Sequence, residues 1–495
     1  MITKNKITAF LILCISAFML FSCQADNKNT ELTNENTPAA KTEINPPEPE
    51  EFSLDAENSP VEAFDYKGYE FTMLISPITN EFSYYEMSSE EENGEILNDA
   101  IYSRNLYIED KYNIKLNSIS CTDFPKIIKA AVNAGEDIYG FATPSTRDGL
   151  SLGTEGYLTN LHNVPHLDFG KPWWNKYSID DTVIMGKNYF VIGKANLRSF
   201  DMAYVIFFNK KLIKDNSLQE PYDLVLSGEW TFDNMMKLAA EVSKDLNGNG
   251  EADKDDAFGL ALNSAGALAF SYGTDNMFVK PNTEGVPDIL IDERFITFFQ
   301  KLVNTVANND SIIYGERYEK EGGRVIYLQD AFEQDRLLFY EETFVRTMLL
   351  RNMETDFGVV PMPKSDSNQK NYSSMTHPTV STTFVIPAAV SDLDRAGRII
   401  EDIAYYSNLS VYPQYLESTV KKKLLRDEKS EQMVDLIISS QRFDLTLSEI
   451  CSMPGDLRAQ LTKGDPNVVS FFESRIGRYQ TEIQKVVDKF IQNAE

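Results

Sequence analysis

Residues 68–76 read GYEFTMLIS, residues 98–113 read NDAIYSRNLYIEDKYN, and residues 113–120 read NIKLNSIS. In the first, Phe71, Met73 and Ile75 alternate with Glu70 and Thr72, the period of a half-buried strand. In the second, Ile101, Ile108 and Tyr112 recur on one helical face with charges opposite, and the third reads again as a strand. Strand, helix and strand in that order predict an open α/β sheet covered by helices. EDIYGFA at 136–142 predicts one further short strand.

Downstream, KNYFVIGKANLRSFDMAYVIFFNKKL (187–212) is a long extended stretch with two apolar runs, suited to crossing between two units. GEWTFDNMMKLAAEVSKD (228–245) predicts an amphipathic helix capped by Thr231, with Asp233 in its first turn and Met235, Met236, Ala239 and Val242 as its buried stripe. FGLALNS (258–264) reads as a strand, RVIYLQDAF and RLLFYEE as further apolar segments, and DFGVVPMPKS (356–365) as a strand leaving through prolines. The C-terminal third is read as helical. Its last helix is expected to be capped by Asp465, with Pro466 in the first turn and Val469, Phe472, Ile476, Tyr479, Ile483, Val486 and Phe490 forming one face.

Chain length and composition bound the function. With 495 residues, 42% of them hydrophobic, the chain can build two cores. The formal net charge of −28 makes nucleic acid and anionic membrane surfaces poor partners. His162, His166 and His377 are too few and too poorly spaced for a zinc site, and no glycine loop resembles a nucleotide cradle. At the N-terminus, Lys4 and Lys6 precede an apolar run from Ile7 to Phe21, shorter than the roughly 20 residues of a membrane helix, which reads as an export signal. The run ends in LFSC, which resembles a bacterial lipobox with Cys23 as the acylated residue; an ordinary signal cleaved elsewhere is the other reading. Residues 23–61 are polar and rich in Pro, Asn and Glu, a tether rather than a fold. Removal of residues 1–22 would take the charge to about −30. Cys121 and Cys451 then remain, too few for a disulfide framework, and are expected to be free core residues.

DLNGNGEADKDD (245–256) places Asp245, Asn247, Asn249, Asp253 and Asp256 at positions 1, 3, 5, 9 and 12, with Gly250 at position 6. This resembles the EF-hand ligand spacing, with the Glu251 carbonyl as the seventh-position donor and Asp256 in place of the usual glutamate. A strand follows instead of a second helix, so the expectation is a single helix–loop–strand calcium site of structural character. The alternative is a solvated Asn-Gly turn with no ion.

Taken together, the lipobox, the tether, the strand–helix–strand opening, KPWWNKYSIDDTVIMGKNYFVIG followed by VIFFNKKL, GEWTFDNMMKLAAEVSKDLNGNGEADKDDAFGL and DFGVVPMPK resemble the extracellular solute-binding proteins of bacterial carbohydrate ABC importers, similar in layout to maltose-binding protein. The resemblance implies a two-lobe α/β fold of the type II periplasmic-binding-protein kind, each lobe a mixed sheet flanked by helices. It implies lobes at 62–195 with 364–408 and at 196–363 with 409–495, crossing near Ile192 to Asp201 and Val359 to Pro363. It further implies a monomeric, lipid-anchored receptor on the outer face of the cell membrane that is no enzyme. Such a receptor closes on a neutral oligosaccharide and delivers it to the permease subunits of an importer.

Sugars offer hydroxyls and apolar ring faces, so their sites pair aromatic platforms with carboxylates and amides. On the implied layout Asp201, Tyr204, Asn263, Ser264, Glu341, Glu342 and His377 border the cleft. Trp173 and Trp174 are expected to pack within their own lobe, and Trp230 to be structural. Two other functions stay open at this point. A pair such as Asp201 and Glu341 would suit glycoside hydrolysis, and a surface lipoprotein could bind glycan or peptide without an importer.

Overall fold

The computed structural model describes residues 59–79, 82–317, 324–417, 428–448 and 450–493. The expected signal segment 1–22, the expected acylation site Cys23 and nearly all of the expected tether 23–61 lie outside the described residues.

Strand β1 (Tyr69–Ile75), helix α1 (Ile96–Tyr112), strand β2 (Ile114–Ser120), helix α2 (Phe124–Ala134), strand β3 (Phe141–Ala142) and helix α3 (Thr146–Thr154) build the first sheet and its cover. The strand order is β2-β1-β3, all parallel, in register from Tyr69 against Ile114 to Ile75 against Ser120. Phe71, Met73 and Ile75 are buried as the alternation requires, and Ile101, Ile108 and Tyr112 seat α1 on the sheet. Strand β3 is two residues long instead of the seven of EDIYGFA. Gly140 lies directly on the Phe71 ring, which leaves no space for a side chain there.

The second sheet contains β4 (Tyr204–Asn209), β5 (Phe258–Leu262), β8 (Ile312–Tyr314), β9 (Leu337–Thr343) and β10 (Phe357–Pro361), ordered β10-β4-β9-β5-β8. Strands β10, β4 and β9 run antiparallel and β9, β5 and β8 parallel, a mixed sheet buried on both faces. Such burial explains the unbroken apolar runs VIFF and LLFY. A hairpin of β6 (Val279–Pro281) and β7 (Pro287–Ile289) and a short parallel pair of β11 (Ser374–Met375) and β12 (Gln441–Arg442) complete the strands. RVIYLQDAF forms the helix Arg324–Glu333.

The chain crosses between the sheets twice. The first crossing follows Val191, which bridges Phe384 beside β3, and contains the short helix Leu197–Asp201 before β4. The second begins later than the prolines of DFGVVPMPKS. Strand β10 pairs along its whole length with β4, and Lys364, Gln369 and Tyr372 still bond to the second lobe through Trp230, Gly273 and Val225. The backbone returns to the first sheet only where Val385 pairs with Ala142. The crossing therefore lies near 376–384, not at Val359 to Pro363.

The helix Phe232–Val242 is capped by Thr231, whose hydroxyl accepts the Asn234 N–H at 3.2 Å, and buries Met235, Ala239 and Val242, with Met236 half-buried. The last apolar stretch is two helices, Val468–Glu473 and Ile476–Gln492, rather than one. Asn467 stands at the N-cap position of the first without a side-chain cap bond, and Asp465, expected as the cap, accepts the Asn467 N–H instead. Phe471 and Phe472 are consecutive and both pack on Phe299, which turns Val469 out to 49% exposure and buries Val487, leaving Val486 half-buried. Cys121 and Cys451 are free and buried.

Candidate ligand-binding site at the lobe junction

Residues 82–95, preceding α1, reach from the first lobe into the junction. Phe82 is fully buried on Met202 and Val345 of the second lobe. The Tyr84 hydroxyl donates to Asp201 at 2.6 Å, and the Tyr415 hydroxyl donates to the other oxygen of that carboxylate at 2.5 Å. Burial pushes the Asp201 pKa up to about 6. Glu86 accepts the Arg198 N–H at 2.6 Å and the Thr382 hydroxyl at 3.0 Å, joining both crossing segments through one carboxylate. Its pKa is raised to about 7, again chiefly by burial.

Beside this plug lies a cavity of about 720 Å³, within the range of small-molecule sites. The first lobe contributes Arg147 from the first turn of α3, just past the C-terminal end of β3. The second contributes Tyr204 of β4, Ala265 and Leu268 of the helix Ser264–Gly273, Ile450, Cys451 and Ser452 before the helix Met453–Lys463, Pro454, Gly455 and Arg458 within it, and Glu482. Met375, His377, Pro378 and Thr379 of the second crossing form a further wall. The His377 ring stacks on Tyr204 at 6.1 Å between centroids. His377 Nδ1 accepts the Thr379 N–H at 3.3 Å, so the neutral ring carries its proton on Nε2. Burial and the positive charges of Arg458 and Arg147 hold its pKa down to about 4. Glu482 is engaged by the Ser452 N–H and hydroxyl, each at 2.8 Å.

The lobes also touch around this cavity. Arg442 donates to both oxygens of Asp181 at 2.8 Å, and Tyr189 meets Phe490 edge-on at 5.1 Å. A second cavity, of about 860 Å³, lies on the Tyr84 side of the plug among the ends of β1 and β2, with Met348 and Arg351 opposite.

Of the residues expected at the cleft, Tyr204 and His377 line the cavity. Asp201 is 1% exposed and held by its two tyrosines, so it serves the junction and does not reach the cavity. Asn263 spends its side-chain oxygen on the N–H groups of Ala265 and Gly266 as a helix cap, and the Ser264 N–H bonds Glu316. Glu342 accepts the Thr343 N–H and hydroxyl. Glu341 is fully buried beneath Gly266 with both carboxylate oxygens unbonded, and burial beside Glu342 and Glu316 holds its pKa well above the usual carboxylate range. Asp201 and Glu341 are thus sealed from any substrate, which removes the carboxylate pair that glycoside hydrolysis would need. Trp173 and Trp174 both donate to buried Glu401, at 3.0 and 3.1 Å. Sequence reasoning missed Arg147, Leu268, Met375, Ser452, Arg458 and Glu482. Only Arg147 carried a signal, because the residues just past the C-terminal end of a parallel strand border the ligand crevice of open α/β sheets.

The 245–256 loop joins the helix Phe232–Val242 to β5, with Lys244 bridging Ala257. Asp245 accepts the N–H groups of Gly248 and Gly250 at 2.6 and 2.8 Å, and Asp256 those of Leu246 and Asp253 at 2.9 and 3.0 Å. Asn247 and Asn249 turn their amide nitrogens to Asp253, at 3.0 and 2.7 Å. Among the described residues no group of three or more His, Cys, Asp or Glu side chains is gathered as metal ligands. The loop nevertheless turns back on itself as the spacing requires, with Gly250 at φ +78°. Rotation of the two amides would place oxygen where nitrogen now faces Asp253.

No family model matches the chain, and no curated protein matches it. Solved structures do. An ABC substrate-binding protein of Listeria monocytogenes in complex with cycloalternan aligns with a TM-score of 0.51 at 11% identity, covering 86% of this chain and 99% of that one. A sugar transporter of Rhizobium etli in an open conformation gives 0.56 at 10% identity, covering 85% and 99%. An extracellular solute-binding protein of Staphylococcus aureus in complex with maltose gives 0.51 at 11% identity, covering 86% and 98%. The described chain therefore has the two-lobe α/β fold shared by the substrate-binding proteins of sugar importers.

Proposed function

We propose that this protein is an extracellular receptor that binds a carbohydrate between its lobes, without catalysis, and delivers it to the permease of an ABC importer. The observation that carries this reading is the cavity of about 720 Å³ where both lobes and the second crossing meet, with the Tyr204 and His377 rings as a platform and polar groups around them. Rings bind the apolar face of a sugar, and the Nε2–H of His377, Ser452 and the arginines supply hydrogen bonds to hydroxyls. A thermal-shift panel of mono- and oligosaccharides, peptides and polyamines tests it. Saccharides are expected to raise the melting temperature, because a ligand that binds only the folded chain stabilises it by mass action. A rise with peptides or polyamines alone, or release of a hydrolysed product, would contradict it.

The receptor is anchored at the outer face of the cell membrane through acylated Cys23, a reading supported by the short apolar leader and LFSC; recovery of Cys23→Ala in the soluble fraction is the check. Calcium occupies the 245–256 loop, held by Asp245, Asn247, Asn249, the Glu251 carbonyl, Asp253 and Asp256, and fastens the helix–strand connection away from the cavity. Added calcium is expected to raise the melting temperature, and Asp245→Ala to remove that increment. A melting curve indifferent to calcium and chelator would leave a plain turn.

A further inference from the structure

The two lobes are fastened to each other by the chain's own side chains. Arg442 of β12, in the second lobe, donates through Nε and Nη2 to the two oxygens of Asp181, which follows the first-lobe helix Lys176–Asp180, each at 2.8 Å. Its Nη1 donates to Asp275 at 3.2 Å, and its guanidinium stands 4.6 Å from the centre of the Tyr177 ring. Asp181 also accepts the Phe443 N–H at 3.3 Å. Both partners are shielded, the Arg442 side chain being 17% exposed and that of Asp181 9%, so little water competes for the paired bonds. The tip of the β6–β7 hairpin adds a second tie, where the Gly285 carbonyl accepts the Met185 N–H at 2.8 Å. A third comes from the helix Ile476–Gln492, which also sends Glu482 to the cavity. It sets Phe490 against Tyr189, and Asn493 at its end donates to the Thr154 carbonyl at 2.9 Å.

We propose that Arg442 and Asp181 are a built-in clasp that holds the lobes together before any ligand is engaged, so that opening of this seam limits entry to the cavity. The Met185–Gly285 and Asn493–Thr154 bonds reinforce it. Asp275 follows the helix Ser264–Gly273 in the lobe of Arg442 itself, and keeps the guanidinium aimed at the seam when the lobes part, so each closure orders little that is not already ordered. Arg442 also joins two carboxylates, one from each lobe, which without it would meet across the seam as like charges. An ion pair suits this part because its geometry is specific while its net contribution is modest. Desolvating the two charges on closure offsets much of their attraction, which leaves the seam able to open. The populations of open and closed forms are then set by the chain itself, and whatever enters through the open form does so at a rate scaled by the open fraction.

The test compares the full chain with Arg442→Met and Asp181→Ala, each without ligand, by small-angle X-ray scattering and by alkylation with N-ethylmaleimide read at separate peptides. Cys451 lines the cavity and Cys121 is buried in the core, so the first reports entry through the seam and the second general loosening. Both variants are expected to have a larger radius of gyration than wild type, Arg442→Met the more so because Asp181 then meets Asp275 with no cation between them. Alkylation of Cys451 is expected to be about 10-fold or more faster in Arg442→Met, with Cys121 unchanged. Asn493→Ala, at an exposed position, is expected to move both readouts the same way to a smaller degree, which keeps the test decisive if substitution at the ion pair unfolds the chain. An unchanged radius and unchanged Cys451 rates in all three variants would overturn the clasp, and so would a parallel rise at Cys121. Neither measurement contains a ligand, so a failure here leaves the cavity's reading as a saccharide site untouched.

Discussion

Replacing Asp402 with alanine is expected to cost about 3–5 kcal/mol of folding stability, read as a lowered urea midpoint. Asp402 is fully buried on the helix Leu393–Tyr406 and accepts from Lys111 Nζ at 2.6 Å, from the Tyr112 hydroxyl at 2.8 Å and from Ser59 at 2.7 Å. Lys111, at the end of α1, has a side chain only 7% exposed. Removing the carboxylate leaves a nearly buried ammonium with only the neutral Ser59 hydroxyl and Val61 carbonyl as partners, which costs more than the ion pair contributes. A double replacement, Lys111→Met with Asp402→Leu, is therefore expected to recover most of the loss, since an apolar pair of similar volume leaves no charge to desolvate. A loss under about 1 kcal/mol in Asp402→Ala would contradict the buried-pair account.

Trp230→Ala is expected to cost a similar amount, about 3–5 kcal/mol, through the lost ring and the space it leaves. Trp230 is fully buried, packs edge-on against Phe339 of β9 at 5.5 Å and donates its indole N–H to the Pro361 carbonyl at 2.8 Å. It fastens the start of the helix Phe232–Val242 to the end of β10. Trp230→Phe retains most of the packing and leaves that carbonyl unbonded, so a smaller loss of about 1–3 kcal/mol is expected. Equal losses in the two variants would show that the hydrogen bond, not packing, does all the holding.

The elements of the first lobe were legible because their apolar spacing is regular and their pairing local: β1 and β2 are joined by a single helix. The break in the last helix was not, because Phe471 and Phe472 are placed by Phe299, far away in sequence. The candidate site was legible where the layout alone selects a position, as for Tyr204 and His377. It failed where a polar residue has a private partner. Asp201 resembles a ligand contact until Tyr84 and Tyr415 are seen on it, 117 and 214 residues away. Asn263 reads equally as a sugar contact or a helix cap, and only the Ala265 and Gly266 N–H groups decide. Arg458 and Glu482 sit on helices whose sequence shows nothing but solvated charge. Tertiary packing alone carries them to the cavity.

If the cavity at the lobe junction holds the saccharide, a side chain that occupies the cavity abolishes binding. Ala265 lines the cavity at the first turn of its helix and is half-buried, so Ala265→Trp would fill the space at little cost to the core. In calorimetric titration of the same saccharides into both proteins, the account predicts binding to the wild-type chain and none to Ala265→Trp, with the urea midpoint of the variant within about 1 kcal/mol of wild type. Equal saccharide affinity in the two proteins would place the ligand elsewhere and contradict it.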